Sequence, residues 1–167
     1  MATYVLNKYD AVKFRPSKTE YNVMIRITNP SDSFAPLEDE ELYRDVLELK
    51  FYDFIEDLNG LFIFNKSLFE TIMEFFEKHR NCKNMVIHCD MGMSRSAGVA
   101  VGWFLFNDDR KSVHKLYHDK KHIPNKLIVS FFVNKLSPSM NKIINGWEQK
   151  KLEEYKQLHQ INLSNLK

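Results

Sequence analysis

The chain is poor in the features that settle a protein's class quickly. Two cysteines, Cys82 and Cys89, in 167 residues cannot staple a disulfide scaffold or fill a four-thiolate zinc site. Neither sign of charge is in excess. Lys and Arg number 24 against 22 Asp and Glu, leaving a net +2, which argues against wholesale polyelectrolyte binding. No apolar run reaches membrane-spanning length; the longest, residues 97–106, is about half of a spanning helix. The start, MATYVLNKYD, has no basic segment followed by a leader-length apolar run. No repeat or low-complexity tract is present. These absences predict a cytoplasmic protein, free of membrane, with reduced thiols. At 44% hydrophobic and 28% charged residues the chain can fill one packed core.

The strand signals come first. Residues 21–28 (YNVMIRIT) are β-branched and apolar and close on the turn Asn29-Pro30-Ser31-Asp32, as a strand followed by a loop does. Residues 46–51 (VLELKF) alternate as a second strand, and Met85-Val86-Ile87 suits a buried central one. Between them, Leu68, Ile72, Phe75 and Phe76 recur at helical spacing, with Asn65 or Ser67 as the cap. Residues 95–106 are apolar almost all round and predict a buried helix. Residues 110–121 predict a polar surface helix broken by Pro124, residues 126–136 another buried helix ended by Pro138, and residues 140–160 a loose helical stripe with Ile144, Trp147, Tyr155 and Leu158. Alternating strands and helices predict an α/β fold: a central, mostly parallel sheet of four or five strands flanked by helices. The expected division is a main α/β domain over residues 1–139 and a helical extension over residues 140–167 packed on it.

The chemistry lies in Val86-Ile87-His88-Cys89-Asp90-Met91-Gly92-Met93-Ser94-Arg95-Ser96-Ala97-Gly98. A buried strand runs into a tight loop, and the loop into a buried helix. Such a loop gathers free backbone N–H groups at a helix N-terminus, where the dipole favours an anion. Gly92 allows the loop to curl. Arg95 at the helix start can take two phosphate oxygens at once. A thiol placed like Cys89, near a helix N-terminus and an Arg, has a pKa lowered to about 3.5–7.5, and a thiolate facing phosphorus is a nucleophile. Ser96 can donate to that thiolate, and His88 can fix the loop through its ring nitrogens. The expected cradle is thus His88, Asp90, Met91, Gly92, Met93, Ser94 and Arg95 around Cys89.

The pattern His-Cys-x-x-Gly-x-x-Arg-Ser, on His88, Cys89, Gly92, Arg95 and Ser96 and more loosely Gly98, resembles the signature of the cysteine-dependent protein tyrosine phosphatase superfamily. The chain's small size and its Ser94-Arg95-Ser96 ending are similar to the compact dual-specificity branch and its bacterial and phage relatives. The resemblance covers residues 21–136. It implies a phosphate monoester hydrolase working through a cysteinyl-phosphate, with phosphorylated protein as substrate (phosphotyrosine and, in a dual-specificity enzyme, phosphoserine or phosphothreonine). It implies no metal and no organic cofactor, and a monomer. It also implies a general-acid Asp some 30–40 residues before the Cys, just after a strand. Asp53 lies 36 residues before Cys89, at the tip of strand 46–51, and is favoured; Asp57, 32 residues before, is the rival. Pro124-Asn125 resembles an element that braces the phosphate loop in compact bacterial relatives.

There are departures from the pattern. Asp90 puts a negative charge beside the phosphate site, which is unfavourable unless its side chain points away. The loop has no Lys, which lowers the case for inositol phosphates, and no Gln-bearing loop for placing water is evident. The alternatives carried alongside are an RNA 5′-phosphatase, a phosphoinositide phosphatase, and a non-catalytic binder of phosphorylated partners. The basic segment 110–126, six Lys or Arg against Asp119, favours an anionic substrate if it borders the site, and keeps nucleic acid open. His114, His118 and His122 stand at i, i+4 and i+8, but without a further ligand they read as surface histidines. Cys82 reads as core, or as a disulfide partner of Cys89 under oxidation.

Overall fold

Every residue of β4, Asn84–Cys89, is buried. A strand that hides both faces must be central, and its Met-Val-Ile run meets that demand. In the computed structural model β4 pairs in parallel with β1 (Ala2–Asn7) on one side and β2 (Asn22–Thr28) on the other, and β3 (Asp45–Lys50) lies parallel beyond β2. The order β1-β4-β2-β3 makes a four-stranded, wholly parallel sheet. The structure describes residues 1–56 and 60–164, without the side chains of residues 155 and 158–164.

The strand missing from the sequence reading is β1. Its six residues are all only half-buried, as an edge strand allows, so its apolar signal is confined to Tyr4-Val5-Leu6. Register aligns Asn7 with Cys89, Arg26 with His88 and Thr28 with Lys50. All four strands therefore end together, and the site lies at that carboxyl edge.

Period-2 alternation sends Val23, Ile25 and Ile27 to one face of the sheet with Met85, Ile87 and Cys89, and Met24 to the other with Val86. The first face carries the main core. Helix α2 (Lys66–Lys78) covers it with Ile72, Phe75 and Phe76, and α3 (Arg95–Phe106) runs through it with every residue from Arg95 to Leu105 buried. Helix α5 (Lys126–Leu136) packs on α3 at close range because Gly102 has no side chain. A Cβ there would lie 2.5 Å from the Phe132 ring. The second face is covered by α1 (Lys8–Lys13) and the 29–44 connection, through Phe14, Leu37, Leu42 and Tyr43.

The cap of α2 is Asn65, whose Oδ1 accepts from the Leu68 amide at 3.1 Å; Ser67 has no part in it. Helix α4 (Arg110–His118) stops short of the expected residue 121. The Asp119 carboxylate ends it by accepting from the Lys121 and His122 amides at 2.9 and 2.8 Å, well before Pro124. Helix α6 (Asn141–Ser164) starts inside the core, where Met140 and Ile144 are buried. Its Trp147 packs on Tyr117, His114 and His118. No helix among the described residues is long and apolar enough to cross a membrane.

Strand β4 also separates the two thiols. Cys82 precedes it and Cys89 ends it, and the five steps from residue 84 to residue 89 span about 16 Å. Disulfide formation requires Cα atoms within about 7 Å, so the oxidised pairing entertained from sequence is excluded. Cys82 is buried, which pushes its thiol up to about 11.

Candidate functional site

The loop 90–94 is bound from outside at three carbonyls. Asp90 O accepts from Lys8 N at 3.3 Å, Met93 O from Ile123 N at 3.0 Å and Ser94 O from Asn125 N at 3.1 Å. Gly92 takes φ +67°, and a Cβ there would lie 2.5 Å from the backbone of Leu6 and Asn7. Only glycine fits both the left-handed backbone and the space. Ser94 stands at the N-cap of α3 but makes no capping bond. Its Oγ donates instead to Asp53 Oδ1 at 2.8 Å. The first amides of α3 thus lack a side-chain cap, as an anion-binding helix start requires.

Cys89 ends β4 at 2% exposure, its Sγ 3.2 Å from Ser96 Oγ. Arg95 is equally deep, and its five donors can be counted. Nη1 donates to Phe51 O at 2.7 Å and to Asn29 Oδ1 at 3.0 Å, and Nη2 donates to the Asp90 carboxylate. Nε is buried, with no partner among the described residues. Three donors are spent on holding the guanidinium. One N–H on Nε and one on Nη2 remain, the number needed for a two-oxygen grip. Asp90 does not point away from the site, as a phosphate-binding loop would suggest. It faces Arg95, accepts weakly from Thr28 Oγ1 at 3.4 Å and lies 3.8 Å from Lys8 Nζ. Its charge is offset by the cation it positions. Met91 is 70% exposed at the loop tip, and Met93 is half-buried.

Asp53 is exposed on the connection after β3. Its Oδ1 accepts from Ser94 Oγ and from Asn125 Nδ2, each at 2.8 Å. Asn125 also caps α5 by accepting from the Ile128 amide at 3.1 Å. One side chain and its own amide therefore tie together the Asp53 segment, the loop and a core helix. Asp57 lies outside the described residues.

The His88 ring does its fixing toward β2. Its Nε2 accepts from Arg26 Nε at 3.2 Å. Arg26 in turn donates to Glu48 Oε1 at 2.9 Å and to Ala35 O, so one buried guanidinium joins β4, β3 and the 29–36 loop. Sequence reasoning passed over Arg26, although a charge inside YNVMIRIT announces a buried partner. Burial, and then the Arg26 charge, push His88 down to about 4. Unfolded His titrates near 6.5, so between pH 6.5 and 4 the unfolded chain binds a proton that the folded chain refuses. Stability from this group is full above 6.5 and falls with pH through that window, by about 3 kcal/mol at most. Urea midpoints measured from pH 7 to 4.5 are expected to drop more steeply for wild type than for His88→Asn; parallel curves would refute the assignment.

The three histidines do not converge. His114 and His118 stack with ring centroids 3.9 Å apart, while His122 turns to Asp119. No cluster of three or more His, Cys, Asp or Glu suited to a metal occurs among the described residues. Of the basic segment, Lys126 borders the cleft that opens beside Asp53 and Ser94.

No family model and no curated protein matches the chain. Solved structures that share its fold include the following two. The human tyrosine phosphatase-like serine/threonine/tyrosine-interacting protein is 17% identical, with 69% of this chain and 76% of that one covered at a TM-score of 0.50. Tk-PTP in its active form is 15% identical, with 81% and 90% covered at 0.52. With four parallel strands, a strand–loop–helix turn at their carboxyl edge and these two neighbours, the chain has the compact, dual-specificity-like fold of the cysteine-dependent tyrosine phosphatases.

Proposed function

We propose that the protein is a phosphate monoester hydrolase acting through a cysteinyl-phosphate. The observation that carries this reading is the state of Arg95, held on three sides with a buried Nε left open. A buried cationic donor without a partner is costly unless a ligand completes it. The phosphoryl oxygens would take the open edge of Arg95 and the uncapped amides of α3. Cys89 Sγ attacks phosphorus, an S–P bond forms and the P–O ester bond breaks. The departing oxygen takes the proton of Asp53. Water then gives a proton to the Asp53 carboxylate and its oxygen to phosphorus, the S–P bond breaks, and Ser96 Oγ donates to the returning thiolate. No step calls on a metal or an organic cofactor.

The depth of Cys89 favours a phosphate on a long arm. At 2% exposure the sulfur is reached more easily by a tyrosyl phosphate than by a seryl one. Retention of Cys89, Arg95 and Asp53 together supports a catalyst over a pure binder, which needs no nucleophile. Release of aryl alcohol from p-nitrophenyl phosphate, with chelator present, tests the reading. Turnover between pH 5 and 7.5 is expected, and its absence would overturn the proposal.

A further inference from the structure

Beside the cradle opens a cleft of about 550 Å³. It is lined by Asp53 and Ser94, by Ile55, Ile123 and Pro124, and by α6. On α6 the lining residues Asn145, Glu148, Gln149 and Leu152 stand at i, i+3, i+4 and i+7, one face of the helix. The core-facing position next to them is Ile144, which is buried. Helix α6 thus turns one stripe to the core and another to this cleft.

The cleft's chemistry is mixed in a particular way. Ile55, Ile123 and Leu152 form an apolar rim at 55%, 39% and 53% exposure, and such clustering at a surface opening marks an interaction site. Glu148 supplies an acceptor. Its Oε1 takes the Tyr117 hydroxyl at 3.2 Å, but its buried Oε2 has no partner among the described residues. Lys151 Nζ donates to the carbonyls of Tyr117 and Asp119 at 2.9 and 2.8 Å, and Lys151 and Lys126 together balance Asp53 and Glu148. Walls with this charge balance do not attract a polyanion.

We infer that this cleft holds the polypeptide flank of a phosphorylated substrate, an apolar side chain of the peptide resting on Ile55, Ile123 and Leu152 and a peptide N–H donating to Glu148 Oε2. The inference rests on the phosphatase reading, since continuity with Asp53 and Ser94 is what directs the substrate's flank here. It makes α6 part of substrate recognition.

Two tyrosine-phosphorylated heptapeptides, one with apolar and one with acidic neighbours of the phosphotyrosine, test it against p-nitrophenyl phosphate, which has no flank. Wild type is expected to prefer the apolar peptide about 10-fold in kcat/KM. In Leu152→Asp and Ile123→Asp, with thermal melts confirming the fold, that preference disappears. The peptide-to-aryl ratio of kcat/KM also falls about 10-fold. Equal use of the two peptides by wild type overturns the inference. So does an undiminished preference in both variants, or better use of a 5′-phosphorylated oligoribonucleotide than of either peptide. If wild type hydrolyses no aryl phosphate, the phosphatase reading falls. The same peptide preference, read by fluorescence anisotropy, then decides the cleft separately.

Discussion

Cys89→Ser is expected to reduce p-nitrophenyl phosphate turnover by at least about 10⁴-fold, since loss of a covalent nucleophile is among the costliest single changes in an enzyme. Oxygen replaces sulfur in almost the same volume. The strand, the loop bonds at Asp90, Met93 and Ser94 and the Arg95 contacts need not move. What changes is reactivity, because a serine hydroxyl is far less readily ionised than the thiol and is a poor leaving group in the second step. Inorganic phosphate is therefore expected to bind the variant about as well as wild type, measured by calorimetry. Residual turnover above 1% would show that the phosphoryl group does not pass through this sulfur. Loss of phosphate binding together with turnover would show that the cradle had collapsed.

Asp53→Ala is expected to slow hydrolysis of alkyl and phenyl phosphates by about 10²–10⁴-fold, the usual worth of a positioned acid. Esters of acidic phenols, which leave without a proton, are expected to suffer much less in the first step. The comparison separates an acid from a merely structural residue, and the separation is needed because Asp53 also anchors Ser94 and Asn125. Asn125→Ala breaks one of these two bonds while keeping the carboxyl. A leaving-group-dependent loss confined to Asp53→Ala identifies the acid. If Asp57→Ala shows the dependence instead, the assignment moves four residues along the chain.

The cradle was legible because it is local. Cys89, Gly92, Arg95 and Ser96 sit within eight residues, and strand, curl and helix each leave a mark in composition. The supports were not legible, because they come from far along the chain. Asn29 meets Arg95 across 66 residues, and Asn125 meets Asp53 across 72. Asn29 has no local pattern to distinguish it from a turn residue; Asn125 was singled out with Pro124 as a brace of the loop, but its bond to Asp53 was not foreseen. Asp90 read as a misplaced charge until the count of Arg95 donors gave it a partner. Helix α4 was drawn too long because proline is a louder stop than an Asx turn at Asp119. Strand β1 escaped because an edge strand with six half-buried residues looks, in one dimension, like any moderately apolar start.

That edge strand sets an order of events. Outer strands open at lower free energy than a core, and β1 is the outer strand against which Gly92 lies and from whose end Lys8 N holds Asp90 O. When β1 peels from β4, the loop loses its backing at Gly92 and Asp90, while β1 takes only Val5 from the main core. Heat or denaturant would therefore silence the protein while its spectra still look native, and reannealing six residues would restore it.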